Sequence, residues 1–154
     1  MTVETPVLSA ECQAVVDRYA LSDSLQEGIK SRLDLAEGLG LSTPGLQVVE
    51  AMLVLDYIVE DSDLNEVNGN PAFFQDAADA LNVFVTGVKD RAESNGIDIK
   101  TELATAKVLV NFFLEYGANY DEHGNWMNTS RLTEDTAVDY IVLQKQLDHA
   151  LTFF

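Results

Sequence analysis

The feature that most constrains the fold is an internal repeat that relates residues 28–70 to residues 87–125. Gly28–Asp34 (GIKSRLD) reappears 59 residues later as Gly87–Glu93 (GVKDRAE), and Ala51–Asn70 aligns without gaps on Ala106–Asn125, 55 residues further on. A repeat of this size is typical of one helical unit stacked on a copy of itself, which is a binding scaffold more often than a catalyst. Chance similarity between amphipathic helices of like composition is the alternative explanation.

Apolar residues follow helical spacing along nearly the whole chain, and no segment alternates strictly between apolar and polar residues. This pattern predicts an all-α fold of about six helices, with two tandem helical hairpins packed as one compact bundle. A chain of 154 residues is expected to form a single domain over 1–154. The centres of the third and fifth helices, Met52–Leu55 and Val108–Val110, are apolar and are expected in the core. Predicted helix starts lie at Ser9, Ser22 or Ser24, Thr43 with Pro44, Pro71, Asp98 and Thr133.

Negative charge is the second strong signal. The chain has 26 acidic residues against nine Lys and Arg, a formal net charge of −17, and 33–88 contain no Lys or Arg. Such a surface repels nucleic acid and anionic membranes and attracts basic protein surfaces. Three explanations remain open: general solubility or a salty habitat, an acidic patch for a basic partner, and a nucleic-acid mimic whose carboxylates replace phosphates.

The compartment follows from absences in the sequence. The single cysteine, Cys12, cannot form an internal disulfide, which fits a reducing compartment. The first residues show no signal-peptide pattern, and no apolar run approaches the roughly 18 residues of a membrane span. We therefore expect a cytoplasmic protein that binds neither membrane nor nucleic acid directly.

Metal-ligand patterns are incomplete. Asp61, Asp63 and Asn65 match the start of an EF-hand loop, but Glu66 replaces the required glycine and Ala72 the bidentate glutamate. Two histidines and one cysteine are too few for a typical zinc site. No cofactor, metal site or catalytic residue is predicted.

Acidic pairs three residues apart offer an enzymatic alternative. Asp34 with Glu37, and Glu60 with Asp63, each share a helix face. The two pairs resemble the acidic pairs that bind magnesium in all-α nucleotide pyrophosphohydrolases of the MazG type. That resemblance implies a magnesium-dependent nucleotide pyrophosphohydrolase, although the first pair departs from the Glu-x-x-Glu pattern.

The sequence favours a non-enzymatic module that binds a basic surface on a partner protein. One form is an inhibitor that mimics nucleic acid, such as a phage-type antagonist of a nucleic-acid-binding protein. The alternative is a structural or adaptor subunit of a larger assembly or homo-oligomer, held through the Trp126 loop and the Phe153–Phe154 tail. The predicted partner-binding residues are acids of the basic-free stretch: Asp56, Glu60, Asp61, Asp63, Glu66, Asp76 and Asp79.

Overall fold

The computed structural model describes residues 9–18, 23–63, 71–127 and 130–154, with the side chains of 59–63 and 71–74 outside that description. These residues form an all-α fold, which confirms the predicted class. Its helices are α1 (Ala10–Arg18), α2 (Asp23–Glu37), α3 (Thr43–Asp63), α4 (Pro71–Ser94), α5 (Ile99–Gly117) and α6 (Glu134–Leu151). Within the described ranges, β-type pairing is limited to one isolated bridge between Tyr120 and Trp126.

The predicted cap at Thr133 is confirmed, and Asp98, near which the fifth helix was predicted to begin, is also a cap. Asp98 accepts from the backbone N–H of Thr101 at 3.1 Å before α5, and Thr133 accepts from the N–H of Thr136 at 3.2 Å before α6. Each satisfies an N–H group that has no partner inside the helix. Local sequence sufficed because cap and partner lie within one turn.

The predicted start of α3 was wrong by one residue. Thr43 is the first helical residue, and Ser42 before it accepts from the N–H of Gly45 at 3.3 Å. The cause lies 60 residues away in the chain. The backbone N–H and the hydroxyl of Ser42 both donate to a carboxylate oxygen of Glu102, at 2.8 and 2.6 Å, which holds Ser42 in the capping position.

Helix α3 is the centre of the bundle and contacts all five other described helices. Its middle residues Met52, Leu53 and Val54 are buried, as expected from their apolar run. Burial of each large apolar side chain in this segment stabilises the fold by roughly 1.5–3 kcal/mol. The packing of α3 therefore fixes where the other helices sit.

Helix α5 departs from the prediction that its apolar centre is in the core. Val110 is buried, but Val108 is 65% exposed and Phe112 is 53% exposed. Their sequence equivalents in α3, Leu53 and Tyr57, are buried. The reason is packing: α5 lies mainly against α6 and touches α3 at few positions, so its outer face stays in solvent.

The repeated segments lie in corresponding helices, the first copy in α2 and α3 and the second in α4 and α5. Both connecting turns contain a glycine with positive φ, Gly40 at 84° and Gly96 at 72°, a conformation that favours glycine. The packing of the two copies differs, because α2 packs against α3 whereas α4 also packs mainly against α3 and not against α5. The duplication therefore stays a prediction.

None of the described helices combines the length and the apolar character required to cross a bilayer.

Candidate functional site

The topology gathers acidic segments at one end of the bundle. Helices α3 and α4 pack together and are linked by residues 64–70. Short connections in helical bundles join antiparallel neighbours, so we expect α4 to run back along α3, with its first turns beside the last turn of α3. An ion pair of 3.4 Å between Arg18 and Asp76 brings the end of α1 to the first turns of α4.

We call this region the acidic end and define it by Asp17 in α1, residues 60–63 in α3, and Asp76 and Asp79 in α4. Asp17, Asp76 and Asp79 are exposed. The side chains of Glu60, Asp61 and Asp63 lie outside the described set, although their backbone closes α3, and Glu66 lies outside the described residues altogether.

The end of α3 is an unfavourable place for carboxylates. Glu60, Asp61 and Asp63 are in or next to its last turn, which contains no basic residue. The carboxyl end of a helix carries partial negative charge, so each acid there costs about 0.3–1 kcal/mol where a lysine would be favourable. Folding alone does not account for acids in these positions.

The acidic end has weak internal compensation. Arg18 and Asp76 form their ion pair with more than half of each side chain in solvent. A pair this exposed contributes only about 0–1 kcal/mol. Asp79 accepts a hydrogen bond from the Gln75 amide at 2.8 Å, which leaves its charge uncompensated. A cation from another protein can compete for these carboxylates.

Asp56 belongs to a different environment from the other predicted partner-binding residues. Its side chain is 21% exposed and forms an ion pair of 3.3 Å with Lys145 of α6. This contact joins α3 to α6 in the same molecule. Asp56 is therefore less available to a partner than Asp76 or Asp79.

Two acids that the sequence reasoning missed hold helix starts in place. Glu50 is buried and accepts from the N–H and hydroxyl of Ser9 at 2.7 and 2.8 Å, just before α1. Glu102 does the same for Ser42 before α3. The Ser9 hydroxyl, predicted to cap α1, thus donates to a carboxylate of α3, and the Ser9 carbonyl accepts from the N–H of Gln13. Glu50 had one sequence signal, a lone acid inside the apolar run Val48–Met52.

Cys12 is a buried, unreactive thiol. Burial raises its pKa far above the ordinary value of a cysteine, and the nearby negative charge of Glu50 acts in the same direction. The thiolate is the nucleophilic form, so the protonated side chain behaves as a small apolar residue.

Residues His123–Asn125, at the end of the second copy of the repeat, form a tight turn. Asp121 accepts from the backbone N–H groups of His123 and Asn125 at 2.8 and 2.9 Å, and Gly124 has a φ of 81°. The hydrogen bond from Asn125 is the main reason that the pKa of Asp121 is lowered. The equivalent turn at residues 68–70 lies outside the described residues.

The arrangement offers little support for metal chemistry. Among the described residues, no three His, Cys, Asp or Glu side chains are grouped so that they could hold a metal ion. Asp34 and Glu37, one predicted magnesium-binding pair, are both exposed on α2. The other pair, Glu60 and Asp63, cannot be placed against it because those side chains are outside the description, so the hydrolase stays a prediction.

Two cavities lie away from the acidic end. The larger, of about 400 Å³, is lined by residues that include Lys89, Ile97, Lys100 and Phe154. The smaller, of about 190 Å³, is lined by Ser9, Glu50 and neighbouring residues. The acidic end is instead a surface contributed by three helices, which suits a macromolecular partner.

The terminal aromatic residues pack on the body of the protein. Phe153 and Phe154 are half-buried against the core, and the Lys89 ammonium donates to the Phe153 carbonyl at 3.2 Å and lies 5.3 Å from the Phe154 ring. Trp126 packs edge-on against Tyr120 at 5.4 Å. The tail is thus already engaged within its own chain.

Comparisons with known proteins found no matching family model, and no curated protein or solved structure with significant similarity to this chain.

Proposed function

We propose that the acidic end binds a basic surface of a partner protein and that the protein has no catalytic activity of its own. The observation that carries this proposal is the set of acids at the end of α3, where they oppose the helix dipole and cost stability. Residues that cost stability are typical of functional sites, because selection retains them for another reason.

Charge distribution supports the proposal. Residues 33–88 contain ten acids and no lysine or arginine, so α3 and most of α4 lack basic residues of their own. The field of such a region extends about 8–10 Å at physiological salt and accelerates encounter with a cationic surface. Apolar contacts would then supply affinity, since exposed charge pairs contribute mainly to association rate and specificity.

A partner that normally binds nucleic acid fits this chemistry best. Carboxylates spaced along helix ends would occupy the lysines and arginines that otherwise contact phosphates. The protein would then act as a competitive inhibitor of nucleic-acid binding. Duplex DNA should compete with the protein if the partner normally binds nucleic acid. It should not compete if the partner is a basic protein that does not contact nucleic acid.

The test is retention of proteins from a lysate of the source organism on the immobilised chain, at low and high salt. The variant Asp76→Asn/Asp79→Asn should weaken binding of the retained protein about fivefold to tenfold, the effect of losing two exposed charge pairs. The matched control is Asp90→Asn/Glu93→Gln, which changes the net charge equally at the other, exposed end of α4.

Specific binding requires that the control binds like the native chain and that salt and duplex DNA both displace the partner. Equal weakening by the two double variants would mean that the net charge of the protein, and not the position of the acidic end, determines binding. Retention that is indifferent to salt would contradict the proposal.

A second candidate, the subunit of an assembly, is favoured by one observation. The outer face of α5 exposes Val108, Phe112 and Tyr116 in one row, and contiguous exposed apolar residues are typical of protein interaction sites.

A further inference from the structure

In the first copy of the repeat, a tyrosine fills a notch over a glycine. Tyr57 of α3 is buried against α2, and a Cβ atom on Gly28 would lie 2.9 Å from the Tyr57 hydroxyl. The Arg32 guanidinium lies 5.1 Å from the centre of the same ring. Glycine is needed at position 28 because a Cβ atom there would be too close to the Tyr57 hydroxyl, whereas the nearest ring atom would be at 3.5 Å. The arginine adds a cation–π contact.

The second copy has the equivalent glycine, arginine and aromatic residue, but its aromatic ring does not pack over its glycine. Gly87 and Arg91 of α4 match Gly28 and Arg32, and Phe112 of α5 matches Tyr57. A Cβ atom on Gly87 would meet only the flexible Arg91 guanidinium, at 3.3 Å, so the notch is open. Phe112 is more than half exposed, because α4 and α5 do not pack on each other.

Gly87 and Phe112 each belong to a row of exposed residues along one face of their helix. On α4, Val83, Gly87 and Arg91 lie four residues apart on one face, and Val83 is 74% exposed. From here on, the notch means this face of α4 with the open space over Gly87. On α5, Val108, Phe112 and Tyr116 have the same spacing, and the two rings pack at 4.7 Å; we call this face the ridge. Gly87 lacks a side chain between the larger Val83 and Arg91, and such a gap can accept a large side chain of another helix.

The charge of this region permits a second copy to approach. Residues 84–117 contain four basic and five acidic residues, a net charge of −1. The other 120 residues contain five basic and 21 acidic residues, a net charge of −16. Like-charge repulsion between copies is therefore smallest where notch and ridge lie. Among the described side chains, Glu115 beside the ridge makes no ion pair. Its carboxylate is therefore available to pair with Arg91 of a second copy.

We propose that the ridge of one copy docks in the notch of a second copy, with Phe112 over Gly87 and Arg91 over its ring. The contact reproduces between two chains what α2 and α3 make within one. It does not depend on the acidic end. Three residues on each side bury less than the roughly 800 Å² per partner of a standard interface, so the association is weak and concentration-dependent.

Sedimentation velocity from micromolar to submillimolar concentration tests the contact. The native chain should associate, and Phe112→Glu and Gly87→Leu should each weaken self-association at least tenfold, since an aromatic anchor in a pocket dominates such interfaces. Controls are Ile141→Glu, an equally exposed apolar residue on α6, and Thr86→Leu, on another face of α4. Circular dichroism verifies folding, and Gly87→Leu should raise helix stability.

Mixing the two variants identifies the interface. Gly87→Leu keeps its ridge and Phe112→Glu keeps its notch, so an equimolar mixture should recover one interface and sediment as a heterodimer. Added salt should leave self-association unchanged or strengthen it, because salt screens the repulsion between two acidic chains. This is the opposite of the effect expected for binding of a basic partner, which salt should weaken. A native chain that stays monomeric throughout, unchanged association of Gly87→Leu, or no recovery on mixing would overturn the proposal.

Discussion

Neutralising the acids at the end of α3 should stabilise the folded protein. The triple variant Glu60→Gln, Asp61→Asn, Asp63→Asn removes negative charges from the carboxyl end of a helix that has no basic residue in its last turn. It also removes repulsion among the three carboxylates. Both effects act on the folded state more than on the unfolded chain, because only the helix aligns the backbone dipoles.

The magnitude follows from the number of charges. At about 0.3–1 kcal/mol per charge, three substitutions should raise the free energy of unfolding by about 1–3 kcal/mol. For a chain of this length that corresponds to a Tm increase of roughly 2–12 °C. The gain should shrink in high salt, because the Debye length falls from about 10 Å at 0.1 M to about 3 Å at 1 M.

Urea unfolding at low and high salt measures this change, with Glu134→Gln/Asp135→Asn as the control. Those two acids occupy the first turn of α6, where the dipole favours negative charge, so their neutralisation should lower stability. A triple variant that is no more stable than the native chain would refute the argument that these acids cost stability.

Other substitutions test single contacts. Glu50→Ala should destabilise the protein by about 2–3 kcal/mol in urea unfolding, because it leaves the N–H and hydroxyl of Ser9 without their carboxylate. Asp98→Asn should lower stability at neutral pH, because capping hydrogen bonds lower the pKa of Asp98 in the folded state. The difference should shrink as the pH falls below the ordinary pKa of 3.8 and vanish below the lowered pKa of the folded state, where Asp98 is protonated; a difference that stays constant in acid would contradict this. Gly28→Leu should cost at least about 1–3 kcal/mol through collision with the tyrosine ring, whereas Gly87→Leu should not destabilise; equal losses would contradict the open notch.

Local signals predicted most of the helices. The cap at Thr133 and the helix start near Asp98 were predictable because donor and acceptor lie within a few residues of each other. The start of α3 was misjudged by one residue because Glu102, far along the chain, selects Ser42 as the cap.

Burial was predictable only where neighbours are assured. The apolar run in α3 is buried because helices surround it, whereas Val108 of α5 has similar local sequence and faces solvent. Periodicity identifies an apolar face but does not say which element covers it.

The acidic end was only partly accessible to sequence reasoning. The absence of Lys and Arg from residues 33–88 drew attention to Asp76 and Asp79, but local sequence does not predict that Arg18 pairs with Asp76 or that Lys145 pairs with Asp56. Ion pairs between residues so distant in sequence depend on how the helices pack.

The most direct test of the proposed function is the salt dependence of partner binding, compared between the native chain and Asp76→Asn/Asp79→Asn. We expect native affinity to fall steeply between low and high salt, and the variant to bind more weakly with a shallower dependence. The control Asp90→Asn/Glu93→Gln should follow the native curve. Coincident curves for the native chain and the Asp76/Asp79 variant would contradict a role for the acidic end.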